Sequence, residues 1–205
     1  MSQLTDVSAL IGDVVDSRGF DDRAGLQSSL ITAFAAIGVE AIQAPMMTVG
    51  DEFQAIYPDL ESALEAELRL RALLAKRVLV RIGMGCGQVN QVEPDREPFG
   101  QDGSAWWRAR EALEWVAETE ESNSTATWRT AARTGDSRES WLNRLLVLRS
   151  AVLEELDQTD GEILLGLLDG VTVSAIAEQI GLNKSSVSRR ARRHGLWALV
   201  ESRNR

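Results

Sequence analysis

The sequence predicts an α+β fold, with a layered domain of strands and helices followed by a small all-helical domain. Through about residue 131, apolar or alternating segments typical of strands are interspersed with segments that have helical periodicity. From residue 140 onward the pattern is helical throughout, and the chain becomes basic after Lys184. We therefore expect domains at 1–135 and 158–205, with a linker helix over 136–157.

The composition limits the class of protein. The chain has 205 residues, 44% of them hydrophobic, and Cys86 is its only cysteine, which excludes a disulfide framework and a cysteine-rich zinc site. No apolar segment approaches the roughly 20 residues of a membrane-spanning helix. The opening residues lack the basic and apolar segments of a signal peptide. We therefore expect a cytoplasmic protein with no membrane partner.

The first half of the chain predicts a strand, a helix, a hairpin and a second helix. The hairpin turns at Gly50-Asp51, since a glycine that opens a two-residue loop suits a tight turn. On the second helix, leucines at i, i+4 spacing form the buried face, and its charged residues (Glu61, Glu65, Arg69 and Lys76) are expected to face solvent. The four elements cover 7–12, 20–37, 42–57, and Pro58 to about Ala75.

The next segments predict a strand over 78–89, a helix over 103–118 and a last strand over 124–131. Glycines recur at every second residue from Gly83 to Gly87, so they mark one strand face that admits either a ligand or a packed helix; we favour the helix. The order β-α-β-β-α-β-α-β is that of a ferredoxin-like layer. The helix carries three tryptophans that we expect in the core: Trp106, Trp107 and Trp115.

A linker helix is predicted from about Ser140 to Asp157, after the polar segment 133–139. Apolar side chains at helical spacing form a stripe along it. The stripe either packs the helix onto a neighbouring domain or pairs it with a second copy of the chain, and both interpretations stay open. It consists of Trp141, Leu145, Leu148, Val152 and Leu156.

The last third of the chain predicts three helices, of which the second and third form a helix-turn-helix. The first helix begins with the capping box Thr159–Glu162 and ends before Gly170. The second covers about 173–180, Gly181 supplies the turn, and Asn183 caps the third. This spacing is typical of proteins that place the third helix in the major groove of DNA.

The third helix presents hydroxyls and cations in its first turns. Such groups read base edges and hold phosphates, so double-stranded DNA is the expected partner. The alternative is a three-helix bundle with a solvated basic face. His194, the only histidine, is expected to contact a phosphate or lie on the surface. The candidate DNA contacts are Lys184, Ser185, Ser186, Arg189, Arg190, Arg192 and Arg193.

Two aspartates lie at predicted strand ends: Asp13 follows the first strand, and Asp51 lies at the hairpin tip. In a β-α-β-β layout these strands are neighbours, so the carboxylates are expected to meet at one end of the sheet. Such a pair suits Mg²⁺, with substrate phosphates as further ligands. The alternative is structural: each aspartate only shapes a turn, and Asp16 or Ser17 only caps the next helix.

Four segments together resemble the SatD family of bacterial proteins over about residues 7–115. The carboxyl-terminal helices resemble the helix-turn-helix of bacterial regulators and of the last sigma-factor domain. The four segments are Gly12-Asp-Val-Val-Asp-Ser17, Thr48-Val-Gly-Asp-Glu-Phe-Gln54, Arg81-Ile-Gly-Met-Gly85 and Phe99-Gly-Gln-Asp-Gly-Ser-Ala-Trp-Trp-Arg-Ala-Arg110.

The same segments are distantly similar to the catalytic domain of class III nucleotidyl cyclases. This resemblance implies that Asp13 and Asp51 hold metal ions and that Arg110 stabilises a transition state, in a site built across a dimer interface. The sequence departs from the cyclase pattern at Trp106, where cyclases usually have asparagine. We expect a homodimeric DNA-binding transcriptional regulator whose cyclase-like domain binds a nucleotide with a divalent metal. The alternative is a metal-dependent nucleotide-processing enzyme with an accessory helix-turn-helix.

Overall fold

The protein has a mixed α+β architecture. The structure, a computed structural model, describes residues 3–96, 99–122 and 127–203. The strands in these ranges are β1 (Gln3–Val14), β2 (Gln43–Met47), β3 (Phe53–Tyr57), β4 (Val80–Gln91), β5 (Gln101–Asp102) and β6 (Thr130–Arg133). They form one sheet in the order β2-β3-β1-β4-β5, and β6 lies parallel to β4.

The order and directions of the central strands match the predicted ferredoxin-like layer. β1 lies between β3 and β4 and is antiparallel to both. The β2–β3 hairpin has shorter arms than predicted, because the Thr48 amide donates to the Glu52 carbonyl at 2.8 Å around the loop 49–51. Of the predicted strand 124–131, residues 124–126 lie outside the described ranges, and β6 forms at the end of this segment.

Helices cover both faces of the sheet. The described helices are α1 (Arg23–Ala36), α2 (Leu60–Leu73), α3 (Ser104–Ser122), α4 (Glu139–Glu154), α5 (Gln158–Leu168), α6 (Val173–Gln179), α7 (Lys184–Arg193) and α8 (Leu196–Glu201). Residues of α1, α2 and α4 share a core with Leu10, Val14 and Ile82 on one sheet face. Residues of α3 pack with Ala9 and Ile11 on the other. Among the described residues, no helix has the length and apolarity needed to cross a bilayer.

The glycines of β4 confirm the helix-packing interpretation. A Cβ atom on Gly83 would lie 2.2 Å from the Ala109 carbonyl oxygen, and one on Gly85 would lie 2.1 Å from that of Ala105. Both contacts are with the backbone of α3, so only glycine allows this helix to approach the sheet so closely. The packing fixes α3, and with it the side chains that α3 presents beside the strand ends.

The predicted apolar stripe of α4 does not face the protein's own core along its whole length, because Trp141 and Leu148 are exposed. The helix instead buries a stripe that contains two polar residues. One of them, Arg149, donates to the buried Glu67 carboxylate at 3.2 Å, which is a partner that local periodicity does not reveal. The buried residues are Leu142, Leu146, Arg149, Ser150 and Leu153. The helix thus packs onto its own chain, and pairing with a second copy stays a prediction.

The carboxyl-terminal helices share a core with α2, so a separate all-helical domain is not confirmed. Leu68 and Ala72 of α2 pack with buried residues of α5 to α8. A Cβ on Gly161 would lie 2.2 Å from the Ala72 carbonyl oxygen, so this glycine lets α5 approach α2 closely. The predicted solvent face of α2 is therefore partly covered: Arg69 is buried and pairs with Asp169 at 2.7 Å.

The turns around α6 and α7 lie where the sequence predicts them. Gly170 and Gly181 have φ values of 71° and 68°, and the Asn183 side chain accepts a hydrogen bond from the Ser186 amide. The predicted capping box is wrong by two residues. Asp157 and Asp160 form it, because Asp157 is the residue with extended backbone that precedes α5.

Candidate functional site

Two ion pairs lie at one end of the sheet, on the face that α3 covers. We call Asp13, Glu52, Arg81 and Arg110 the paired-charge site. Asp13 and Arg81 are cross-strand partners on β1 and β4. Glu52 immediately precedes β3, and Arg110 lies on α3. Antiparallel pairing and the close approach of α3 therefore bring four distant parts of the sequence together.

Asp13 is fully engaged by Arg81. The Arg81 Nε and Nη2 atoms donate to the two carboxylate oxygens of Asp13 at 2.9 and 3.1 Å. Burial lowers the pKa of Arg81, but the hydrogen bonds and charge of Asp13, with smaller contributions from Glu120 and Asp51, raise it overall. Asp13 contacts this guanidinium directly, whereas the convergence of Asp13 with Asp51 stays a prediction.

Arg110 is held in the same bidentate way. Its Nη1 and Nη2 atoms donate to the Glu52 carboxylate at 2.6 and 2.8 Å. These hydrogen bonds raise the pKa of Arg110, and the charges of Glu52, Glu114 and Asp13 add to the effect. The arginine that the cyclase resemblance selects therefore lies beside Asp13, and Glu52 fixes its position.

The magnesium site at Asp13 and Asp51 stays a prediction. Each oxygen of Asp13 accepts one hydrogen bond from Arg81, so a cation at Asp13 would share the carboxylate with this guanidinium or displace it. Within the described ranges, no group of three or more histidine, cysteine, aspartate and glutamate side chains is arranged to hold a metal.

A cleft of about 520 Å³ lies next to this site, between α3 and the sheet. Trp106, Trp107 and Arg110 line it on the α3 side. The prediction that Trp107 belongs to the core is wrong, because 64% of this side chain is exposed. Two atoms of residues lining the cleft, Trp106 Nε1 and Gln101 Oε1, are buried and lack a hydrogen-bond partner among the described residues. Because these two atoms are buried, a ligand in the cleft does not reach them in this conformation.

The second candidate site is the outer face of α7. Val187 and Ala191 are buried and fix the inner face of this helix. On the outer side, Lys184, Ser185, Arg189, Arg192 and Arg193 are exposed, while Ser186 is half-buried. Among the described residues, none of these cations forms an ion pair. We call Lys184, Arg189, Arg192 and Arg193 the α7 cation face.

Arg190 differs from its neighbours on α7. It is ion-paired with Asp157, and its Nε donates to Asp160 Oδ1 at 2.8 Å. The hydrogen bonds to Asp160 and Asp157 raise the pKa of Arg190. His194 Nδ1 lies 2.7 Å from the other oxygen of Asp160, which is fully buried. This geometry favours Arg190 and His194 as residues that hold α7 on α5 rather than as DNA contacts.

Sequence reasoning assigned no role to Glu52, and it placed Arg81 only within a motif. The pairing of β1 with β4 could have identified Arg81. In an antiparallel pair, the residue opposite an acid such as Asp13 is expected to carry the opposite charge. No local signal links Glu52 to Arg110, because 58 residues separate them and the contact depends on how α3 packs.

The comparisons with known proteins give one family. The SatD family model matches residues 7–205. No protein with a curated description matches the chain. Similar solved structures include the non-canonical dimeric guanylyl cyclase domain of the RhoGC fusion protein from the aquatic fungus Blastocladiella emersonii, at 16% identity and a TM-score of 0.40, covering 55% of this chain and 75% of that one. A bacterial light-regulated adenylyl cyclase matches at 13% identity and a TM-score of 0.36, covering 64% and 77%. With almost its whole length matched by the family model, the chain belongs to the SatD family.

Proposed function

We propose that the protein is a DNA-binding transcriptional regulator that contacts duplex DNA through α7. The observation that carries this proposal is the α7 cation face, a helix surface with four exposed cations opposite a buried inner face. A helix that projects in this way from a preceding turn fits the major groove. Asn183 and Gly181 form that turn, so α6 and α7 together act as a helix-turn-helix.

Because of the overall negative charge, the protein is expected to bind DNA only through the α7 cation face. The chain carries a net charge of −9, so its remaining surface repels nucleic acid. Binding therefore depends on orienting the α7 cation face toward the duplex. Lys184, Arg192 and Arg193 hold phosphates in this proposal, while Ser185 and Arg189 reach base edges.

The test is the affinity for a fluorescent duplex of about 30 base pairs, measured by anisotropy at about 50 mM salt, where charge-dependent binding is strong. Arg189→Ala/Arg192→Ala/Arg193→Ala is expected to lose about 100-fold or more in affinity while circular dichroism and melting stay unchanged. The matched control is Arg18→Ala/Arg23→Ala/Arg144→Ala, which removes the same charge from exposed positions elsewhere. Equal losses in the two variants would contradict the proposal.

A homodimer fits this function, because regulators of this kind bind two half-sites on DNA. The exposed Trp141 and Leu148 of α4 form the apolar face that such pairing would cover. The proposal includes a homodimer in the cytoplasm, which sedimentation of the purified protein would test. A monomer at all concentrations would leave DNA binding intact but remove the paired form.

We also propose that the cleft beside α3 binds a nucleotide. The indole faces of Trp106 and Trp107 suit stacking on a base. Arg110 also lines the cleft, and a phosphate bound there would share this guanidinium with Glu52.

Tryptophan fluorescence during titration with nucleoside triphosphates tests this second proposal. Quenching that disappears in Trp107→Ala, but persists in the exposed control Trp197→Ala, is the expected result. Adding Mg²⁺ or Mn²⁺ and following triphosphate turnover tests the alternative of a nucleotide-processing enzyme. Turnover that Asp13→Asn abolishes would favour the enzyme, whereas binding without turnover favours the regulator.

A further inference from the structure

A second cavity lies on the opposite face of the sheet from the paired-charge site. Its volume is about 380 Å³, within the usual range for small-molecule sites. The end of β1, the loop between α2 and β4, and the end of α4 enclose it. Val15, Phe20 and Leu153 contribute an apolar wall, and Arg71, Lys76 and Arg77 contribute cations.

Arg71 supplies a buried positive charge to the lining. The residue is 7% exposed, and its hydrogen bonds to described residues both use Nη1, to Ser150 Oγ at 2.8 Å and to Glu67 at 3.5 Å. Glu67 also accepts from Arg149 at 3.2 Å, so one carboxylate serves two guanidiniums. Burial lowers the pKa of Arg71, as expected for a cation that its partners compensate incompletely. The Nε and Nη2 atoms remain as donors for a ligand.

Glu154, an acid in the lining, is shared between two guanidiniums. Its carboxylate lies 2.7 Å from the Arg129 guanidinium and is ion-paired with it, and its charge also acts on Arg71. Burial raises the pKa of Glu154. The excess of positive charge in the lining therefore comes from the cations at the mouth.

The mouth of the cavity adds two more cations. Lys76 and Arg77 are exposed, and neither forms an ion pair with any residue in the described ranges. Asp16, the acid at the mouth, is likewise in no ion pair within these ranges. Lys76 has a φ value of 57°, a left-handed conformation that is uncommon for lysine, and Asp16 has a φ value of 52°, which aspartate adopts more readily.

We propose that this cavity binds a small amphipathic anion, in which a carboxylate or phosphate group contacts Arg71, Lys76 and Arg77 and an apolar portion lies against Val15, Phe20 and Leu153. Guanidinium groups bind both kinds of oxyanion through charge-assisted hydrogen bonds. The site is separate from the α7 cation face and from the cleft beside α3. Its lining includes Leu153 and Glu154 at the end of α4, and three residues separate α4 from α5.

The experiment titrates the full-length ¹⁵N-labelled protein with inorganic phosphate and, separately, with hexanoate. Because α7 also carries guanidiniums, the readout is the set of backbone amide shifts of residues 76–80. Saturable shifts are expected in the wild type, with affinity falling at least about tenfold in Lys76→Gln/Arg77→Gln. The control is Arg144→Gln on the exposed face of α4, which should leave the titration unchanged.

Each outcome decides the proposal. Tighter binding of phosphate assigns a phosphoryl group, and tighter binding of hexanoate assigns a carboxylate with an apolar chain; both support the site. No saturable shift with either probe overturns it. Shifts of equal affinity in wild type and Lys76→Gln/Arg77→Gln also overturn it, because the cations at the mouth would then be irrelevant.

Discussion

Two groups of arginines in this protein have opposite surroundings. In the body of the fold, guanidiniums are matched by carboxylates: Arg81 with Asp13, Arg110 with Glu52, and Arg149 with Glu67. On α7, three arginines are exposed and form no ion pair among the described residues. The first group carries charge that the fold neutralises, whereas the second carries charge that remains available to a partner.

This difference separates the arginines that stabilise the fold from those whose charge remains available for binding. Moving a guanidinium out of water is costly unless a carboxylate and hydrogen bonds replace the lost hydration, and the paired arginines satisfy this condition. The three exposed arginines of α7 remain hydrated. Arg190 shows the contrast within one helix, since it pairs with Asp157 and Asp160, whereas Arg189 beside it pairs with no acid in the part of the chain that the structure describes.

The largest expected loss of stability comes from breaking the buried ion pairs that Glu67 forms with Arg71 and Arg149. Glu67→Gln leaves Arg71 and Arg149 without their shared carboxylate, in a position that is fully buried. We expect the free energy of unfolding, measured in urea, to fall by about 3 kcal/mol or more. The control Glu93→Gln breaks an exposed pair with Arg96 and should leave stability unchanged. Equal stability of the two variants would contradict the structural importance of the buried pairs.

Arg190 gives the next largest effect and a direct comparison with Arg189. Arg190→Ala leaves the buried Asp160 carboxylate with His194 and the Asp157 amide but no guanidinium, so the free energy of unfolding should fall by about 2 kcal/mol. Arg189→Ala should not alter stability but should weaken DNA binding more than Arg190→Ala does. The reverse pattern, with Arg190→Ala stable and defective in DNA binding, would make Arg190 a DNA contact.

A smaller effect is expected at the paired-charge site. Asp13→Asn removes the carboxylate from Arg81, which retains Glu120 at 3.5 Å. Because the pair is about one-fifth exposed, we expect a loss of about 1 kcal/mol in urea unfolding. Asp21→Asn, at an exposed position, serves as the control. A loss of stability as large as that of Glu67→Gln would show that the main role of Asp13 is to stabilise the fold.

The smallest expected effect is on the stability of the protein at acidic pH. Burial raises the pKa of Asp157, but hydrogen bonds from the Asp160 amide and Arg190 lower it overall, below its usual value of 3.8. A carboxylate with a depressed pKa stabilises the fold above that value, and the contribution is lost as the pH falls through the folded-state pKa. Asp157→Asn should therefore flatten the pH dependence of the melting temperature below about pH 4. Glu155→Gln, its exposed neighbour, should keep the wild-type profile.

The sequence predicted the order of the longer elements through α7, the turn at Gly181 with the Asn183 cap, and the helix over Gly83 and Gly85, because each has a local periodic or conformational signature. It did not predict the two-residue strand β5 or the last helix, α8. It did not predict the buried face of α4, since the burial of Arg149 requires Glu67 on another helix. It did not predict that α2 would be covered by α5 to α8, or that Arg81 would pair with Asp13. These features depend on contacts between distant residues, and local patterns do not encode them.

The α7 cation face is the central claim, and the salt dependence of DNA affinity tests it most directly. If Lys184, Arg192 and Arg193 contact phosphates, the slope of log K against log salt concentration should be about −2.7 in the wild type. The slope should lose about two units in Arg189→Ala/Arg192→Ala/Arg193→Ala, which removes two of the three phosphate contacts. A wild-type slope that this variant preserves, or a wild-type protein that does not bind duplex DNA at low salt, would contradict the account.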